Sequence, residues 1–335
     1  MDSPWPLLRS YGRTIATAAL TALVLLVVTE VLAFRSGLFT SHVHVSSPDS
    51  PNAKLALLGR FSDARVLYFG DSIVLTDVAP VVVSESCRCG PGFNAAFSSA
   101  TTWLTAVMIS RTLEIAKPQV VVVGAAPYAL DDRLRLQNND LARELLRPDE
   151  FASFGAALDL FGRAQWALGS TWSVYGQRAL FKEFLNSLLP GQRYDESKRG
   201  LLAPPGAANS PSQLSTQAEH LKALMPGAPS LEAPSAQALV SALRDVRARG
   251  MKVVIMLPPV HPVADAAAPP YLAAANSVIH DIAKVADAEV MDCRDAVDAS
   301  DFRDLTHLNP TGAAKFSRCV GDYLARLMTI DHAVQ

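Results

Sequence analysis

Apolar residues in this chain come in blocks of two lengths. The longest block covers 14–34, 21 residues with Glu30 as the only charge. About 20 such residues suffice to carry a helix across a bilayer. The other blocks are short and rich in β-branched and aromatic residues. They lie at 66–69, 93–97, 119–124, 252–257 and 288–291, and the third contains four consecutive valines. Unbroken apolar runs of this length predict parallel strands covered on both faces. Between them, helical periodicity predicts helices over 73–86 (interrupted near Pro80), 102–116, 235–249, 270–286 and 311–328. Strands alternating with helices predict an α/β fold with a doubly wound parallel sheet.

The middle of the chain departs from this rhythm. Residues 139–190 read as amphipathic helix with aromatics at Phe151, Phe154, Phe161, Trp166, Trp172, Tyr175, Phe181 and Phe184. These aromatics read as a packed cap, with a sugar-stacking platform as the alternative. Residues 191–235, rich in Pro, Gly, Ala and Ser, read as a long loop. In a compact domain such a loop is usually functional or disordered. The expected organisation is a cytoplasmic N-terminus and transmembrane signal anchor over 1–35 and a linker over 36–60. An extracytoplasmic domain over 61–335 follows, carrying an insertion at about 139–235.

Charge and cysteine content narrow the class. Half the residues are hydrophobic and the net charge is −2, with no dense run of Lys and Arg. That argues against nucleic acid as a partner. Arg9 and Arg13 precede the apolar block, which favours a cytoplasmic N-terminus, although Arg35 follows it. A cleaved signal peptide is the competing reading, but the block exceeds a usual h-region and no clear Ala-x-Ala site follows. The expected location is therefore the inner or plasma membrane, single-pass, with the domain outside the cytoplasm. In an oxidising compartment four cysteines allow three pairings. Cys293, at a strand end, and Cys319, on the next helix, form the expected disulfide. Cys87 and Cys89 would need a strained small loop to pair, and a metal half-site is their other reading. No His or Cys cluster lies nearby to complete it, so no metal is expected.

The chemistry concentrates at two points. Arg65-Val-Leu-Tyr-Phe-Gly-Asp-Ser72 places a serine just past the first strand, where α/β sheets present their sites. Asp304-Leu-Thr-His307 sets a carboxylate three residues before a histidine. A serine hydroxyl needs a base to act as nucleophile, and His307, oriented by Asp304, is the natural candidate. Taken alone, Asp304 could equally cap a helix beginning near Pro310. Asp71 reads as a residue that satisfies N–H groups in the turn, with substrate contact as its other role. His261, after the fourth strand, reaches the same sheet edge and is a candidate for substrate binding, as are Asn94 and Tyr128. The other histidines, His220 among them, receive no role.

Gly70-Asp71-Ser72 and the late Asp304-Leu-Thr-His307-Leu-Asn-Pro-Thr-Gly-Ala313 resemble the GDSL, or SGNH, hydrolase family over roughly 60–130 and 235–330. The longer motif is similar to its membrane-anchored branch, the DltD-like and alginate-acetylation proteins. The resemblance implies a flavodoxin-like three-layer fold and a Ser72, His307, Asp304 triad. Its oxyanion hole would use the Ser72 N–H and the backbone at Ser99, where the family carries glycine. The family's Gly-x-Asn-Asp becomes Gly124-Ala125-Ala126-Pro127, so the third donor, an asparagine, is missing. Losing one such donor can cost about 10²–10³-fold in rate, and Tyr128, Asn94 or a backbone amide would have to replace it.

The implied activity is that of a serine esterase or O-acyltransferase without cofactor, acting on an acylated glycan or other envelope polymer. A multi-spanning membrane acyltransferase is its possible partner. A non-catalytic assembly protein on the same scaffold, and a lipid or thioester hydrolase, are the alternatives.

Overall fold

The computed structural model describes residues 5–35, 43–130, 141, 144–147, 160–202, 208–223 and 229–332. Helix α1 (Trp5–Thr29) runs into a π-helical turn, Glu30–Arg35. Its stretch Thr14–Leu32 is long and apolar enough to cross a membrane, and its side chains are almost all exposed. Helix α2 (Pro51–Leu58) begins at Ser50, whose hydroxyl accepts the Ala53 N–H.

The sheet domain follows as β1 (Val66–Phe69), α3 (Ser72–Asp77), α4 (Pro80–Cys87), β2 (Gly92–Asn94), α5 (Thr102–Thr112) and β3 (Val120–Gly124). Helices α6 (Leu160–Thr171), α7 (Ser173–Gly176), α8 (Arg178–Ser187) and α9 (Pro211–Ala223) come next. The chain then returns through α10 (Pro234–Ala248), β4 (Lys252–Leu257), α11 (Pro262–Ala267), α12 (Pro269–Ala286), β5 (Glu289–Asp292) and α13 (Pro310–His332).

All five strands are parallel, in the order β2-β1-β3-β4-β5. This is the flavodoxin-like order of doubly wound sheets, as the alternation of blocks predicts. Every residue of β1, β2 and β3 is buried. Leu67, Phe69, Val121, Val123 and Ile255 pack on one face with α5, α10 and α12. Val66, Tyr68, Val122, Val254 and Met256 pack on the other with α4 and α13. Burial on both faces explains why the strands read as continuous rather than alternating apolar runs.

The helix read over 73–86 breaks near Pro80 as expected, and two differences from the sequence reading have local causes. Val78 and Ala79 are extended between α3 and α4, since Pro80 sits at the first position of α4 and pushes its predecessor out of helical geometry. The stretch read as a long loop contains α9. Its start carries a reciprocal cap: Gln213 N–H donates to Ser210 Oγ at 3.4 Å, and Ser210 N–H to Gln213 Oε1 at 2.8 Å. Ser210-Pro-Ser-Gln213, with proline at the first helical position, is a start signal legible in the sequence. Finally, Cys87 and Cys89 lie at disulfide distance, with Cα atoms 5.1 Å apart, against the expectation that so short a loop disfavours the pair. The left-handed conformation of the intervening Arg88 (φ 52°) turns the chain back to allow it. Cys293 and Cys319 pair as expected, Cα to Cα 6.0 Å. Phe151 and Phe154 lie outside the described residues.

Candidate active site

Ser72 follows β1 by three residues and opens α3. The turn between them depends on Gly70, whose φ is +148°. A Cβ there would meet Val74 Cγ2 at 2.5 Å, and one on Gly124, at the end of neighbouring β3, would meet the same methyl at 2.2 Å. The two glycines thus let α3 start directly over the strand ends. Asp71 caps the helix by accepting the Ile73 N–H at 3.0 Å, and Tyr128 donates to its other oxygen at 2.5 Å. Burial raises the pKa values of both Asp71 and Tyr128. The Ser72 N–H, at the first turn of the helix, donates to no acceptor among the described residues.

The histidine arrives from the far end of the chain. Phe302 and Leu308 form an isolated antiparallel bridge, which pinches 303–307 into a loop past β5. Asp304 organises that loop with one oxygen, which accepts the N–H groups of Thr306 (3.0 Å) and His307 (2.9 Å). The pair is therefore held by a side-chain-to-backbone turn. Nor does Asp304 cap the last helix: Asn309 does, accepting the Gly312 N–H at 3.0 Å.

The result is a continuous relay. Ser72 Oγ lies 2.9 Å from His307 Nε2, and His307 Nδ1 lies 2.9 and 3.0 Å from the two oxygens of Asp304. Arg303 Nη2 donates to Asp304 Oδ2 at 2.9 Å. Burial alone would raise the Asp304 pKa, but hydrogen bonding and charge from His307, with the Thr306 N–H and Arg303, outweigh it and hold the carboxyl well below its ordinary range. Burial likewise works to lower the His307 pKa, yet the Asp304 bond and charge, backed by Asp77 and Asp71, raise it. Such a geometry can accept a proton from the hydroxyl and hold the resulting imidazolium.

Asp77, at the far end of α3, was not singled out in the sequence. Its two oxygens accept the Leu308 N–H, each at 3.2 Å, and Thr76 donates to it at 2.7 Å. It ties α3 to the histidine loop. Complete burial raises its pKa to about 7.

The other sequence candidates fall elsewhere. Asn94 is fully enclosed. Its amide donates to Val74 O (2.7 Å) and Val78 O (2.9 Å) and accepts the Ala96 N–H, so it fixes α3 against β2 instead of facing a ligand. The Tyr128 hydroxyl is committed to Asp71. His261 caps α11 through Nδ1, stands edge-on to Phe302 and takes its backbone N–H to Leu305 O at 2.8 Å, bracing the histidine loop. Burial lowers its pKa. Ser99 is exposed in the loop after β2, at φ +58°, the left-handed conformation that glycine adopts without strain. That loop lies beside the nucleophile turn, since the Phe97 N–H bonds Gly70 O at 3.3 Å. A cavity of about 420 Å³ opens on the histidine side of the relay. Thr216, Gln217, His220 and Leu221 of α9 form one wall, and Asp304, Leu305, Thr306 and His307 the other. His220 has no role in the sequence reading because it lies at no strand end, and it reaches the cavity from α9.

Among the described residues no group of three or more His, Cys, Asp or Glu side chains could hold a metal ion.

This is a doubly wound α/β protein with a Ser–His–Asp relay at the carboxyl edge of its sheet. No family model matches the chain, and no curated protein does. Among solved structures it is similar to a Bacteroides fragilis protein named for a proposed acylhydrolase activity, at 11% identity over 79% of this chain and 88% of that one, with a TM-score of 0.38. It is also similar to an acetyl xylan esterase, at 13% identity over 79% of this chain and 98% of that one, with a TM-score of 0.34.

Proposed function

We propose that this protein is a membrane-tethered serine acyl-esterase or O-acyltransferase acting outside the cytoplasm on an acylated envelope polymer. The observation that carries the reading is the unbroken chain Ser72 Oγ, His307 Nε2, His307 Nδ1, Asp304 at the sheet edge. Ser72 Oγ attacks an ester carbonyl as His307 takes its proton. Charge on the carbonyl oxygen meets the Ser72 N–H at the helix start. Collapse expels the leaving alcohol, which receives the proton from His307, and leaves an acyl group on Ser72. Water or a sugar hydroxyl then resolves the acyl-enzyme, with His307 again as base.

The α9 cavity adjoins the histidine, so the leaving or accepting alcohol belongs there. The resemblance of Gly70-Asp71-Ser72 and of 304–313 to the GDSL family, in its membrane-anchored branch, favours an acylated polymer over a soluble ester. An apolar N-terminal helix of spanning length supports tethering, and a membrane acyltransferase is a fitting partner.

The test is labelling of the full chain with a serine-directed phosphonate, followed by peptide mapping and by activity on short acyl esters. Label on Ser72, with Ser72→Ala and His307→Ala each losing at least about 10³-fold in kcat/KM, is the expected result, because members of such a relay act as a unit. A full complement of polymer acylation in cells carrying Ser72→Ala would instead make the protein a non-catalytic assembly factor.

A further inference from the structure

The geometry points to a second membrane-contacting surface, formed by α6 and α8, which seats in the outer face of the same bilayer that α1 crosses. This inference rests on the membrane-spanning reading of α1 and not on the catalytic one. The exposed large apolar side chains on these helices and just past α8 include Leu160, Phe161, Leu168, Leu185, Leu188 and Leu189. Phe161 is 69% exposed and Leu188 64%. Leu185 lies in the last turns of α8, and Leu188 and Leu189 continue from it just past the helix end.

The opposite face of α8 is already occupied. Leu180 is buried and Phe184 packs on the main core. The Ser46 N–H donates to Glu183 O at 3.2 Å, and the Ser187 hydroxyl to His44 O at 3.0 Å. The exposed leucines therefore lie on the outer side of a segment whose inner side is fixed. Contiguous exposed apolar surface of this kind marks a binding face in a folded protein.

The occupant follows from what adjoins it. The outer end of α1 is bonded directly to the end of α6 and the start of α7. Glu30 accepts the Ser173 N–H at 2.9 Å and the Arg35 Nε–H at 3.1 Å, and Arg35 also donates to Thr171 O at 3.1 Å. The apolar, exposed length of α1 thus ends where α6 and α7 meet, and whatever covers one surface borders the other. Lys182, exposed beside Phe181, supplies a cation at headgroup level. An amphipathic helix with an apolar face and flanking positive charge lies in the plane of the interface. The occupant is lipid, and its consequence is that the domain is held by two contacts in one orientation instead of swinging on a tether.

The experiment uses the full chain in vesicles of phosphatidylcholine and phosphatidylglycerol, with single fluorophore-labelled cysteines at Leu23, Phe161, Leu185 and Asp281. Labelling is done without reductant, so that the native pairs stay closed. Quenching by bromines on the acyl chains is compared with quenching by aqueous iodide. The expected result is that positions 161 and 185 are quenched by bromines placed near the headgroups, with iodide quenching about fivefold weaker than at 281, while position 23 responds to bromines deep in the chains. If iodide reaches 161 and 185 as freely as 281 while 23 remains lipid-quenched, the surface contact is wrong and the span stands. If 23 is untouched by lipid bromines, both fall. Shielding of 161 and 185 from iodide without lipid quenching would mean that a protein covers the face, a second copy included, and would also overturn the proposal. Ester cleavage measured on the same vesicles reads the catalytic assignment separately.

Discussion

At the scale of single residues, the proposed mechanism makes His307 the group that sets the pH behaviour. As the base it must be neutral, and Asp304 raises its pKa despite the burial that opposes this. Activity should therefore be lost as pH falls, with the midpoint of the acid limb of kcat/KM above the unperturbed value of about 6.5. Asp304→Asn removes the charge that favours the imidazolium, so its midpoint should drop below that of the wild type. A pH–rate profile of both proteins decides this; an unmoved midpoint would show that the limb belongs to another group. Ser99 carries a different lesson. The backbone there adopts the left-handed conformation that glycine takes freely, at a cost of roughly 1–2 kcal/mol for an L residue.

At the scale of elements, the site is a junction between α3 and the loop past β5. Asp77 makes that junction from inside the protein. Its pKa is raised to about 7 in the folded chain, against about 3.9 when unfolded. Between these values the unfolded state has released a proton that the folded state retains, so stability contributed by this group falls as pH rises from about 4 to about 7. Asp77→Asn, which keeps an acceptor for Leu308 and cannot titrate, should flatten that fall. Urea unfolding of the two proteins across this range checks it, and parallel curves would refute the assignment.

The Cys293–Cys319 bridge joins the end of β5 to α13 across a sequence separation of 26. Replacing both residues by serine should cost about 3 kcal/mol, read as an earlier unfolding midpoint, with the relay geometry retained. A midpoint unchanged from that of the oxidised wild type would show that the bridge adds nothing.

At the scale of the whole molecule, the proposed span predicts that Arg9 and Arg13 at one end of α1 and the disulfide-bearing sheet domain beyond the other lie on opposite sides of a membrane. A single cysteine at exposed Asp287 should react with a membrane-impermeant maleimide from outside intact cells. One placed near Arg9 should react only after permeabilisation. The reverse pattern would put the domain in the cytoplasm and remove its envelope substrates. The proposed α6–α8 surface bears on the same question, because a second membrane contact would fix how the site is presented to the proposed polymer.

Fold class was legible because parallel strands covered on both faces need continuous apolar runs, and Val66–Phe69 and Val120–Gly124 are such runs. The three relay residues were legible because a serine after the first strand and a carboxylate three before a histidine are local patterns. Their meeting was not local. Ser72 and His307 are 235 positions apart, and only the parallel order of the sheet brings both to one edge. The same limit hid Asp77, whose importance lies in accepting an N–H from a loop at the other end of the chain. Asn94 and Tyr128 looked available to substrate because a sequence does not show that their polar atoms are already paired. Helix α9 was the avoidable miss, since its capping box lay in plain view among prolines and serines. The cavity it lines could come only from tertiary packing, which set that helix against the histidine loop.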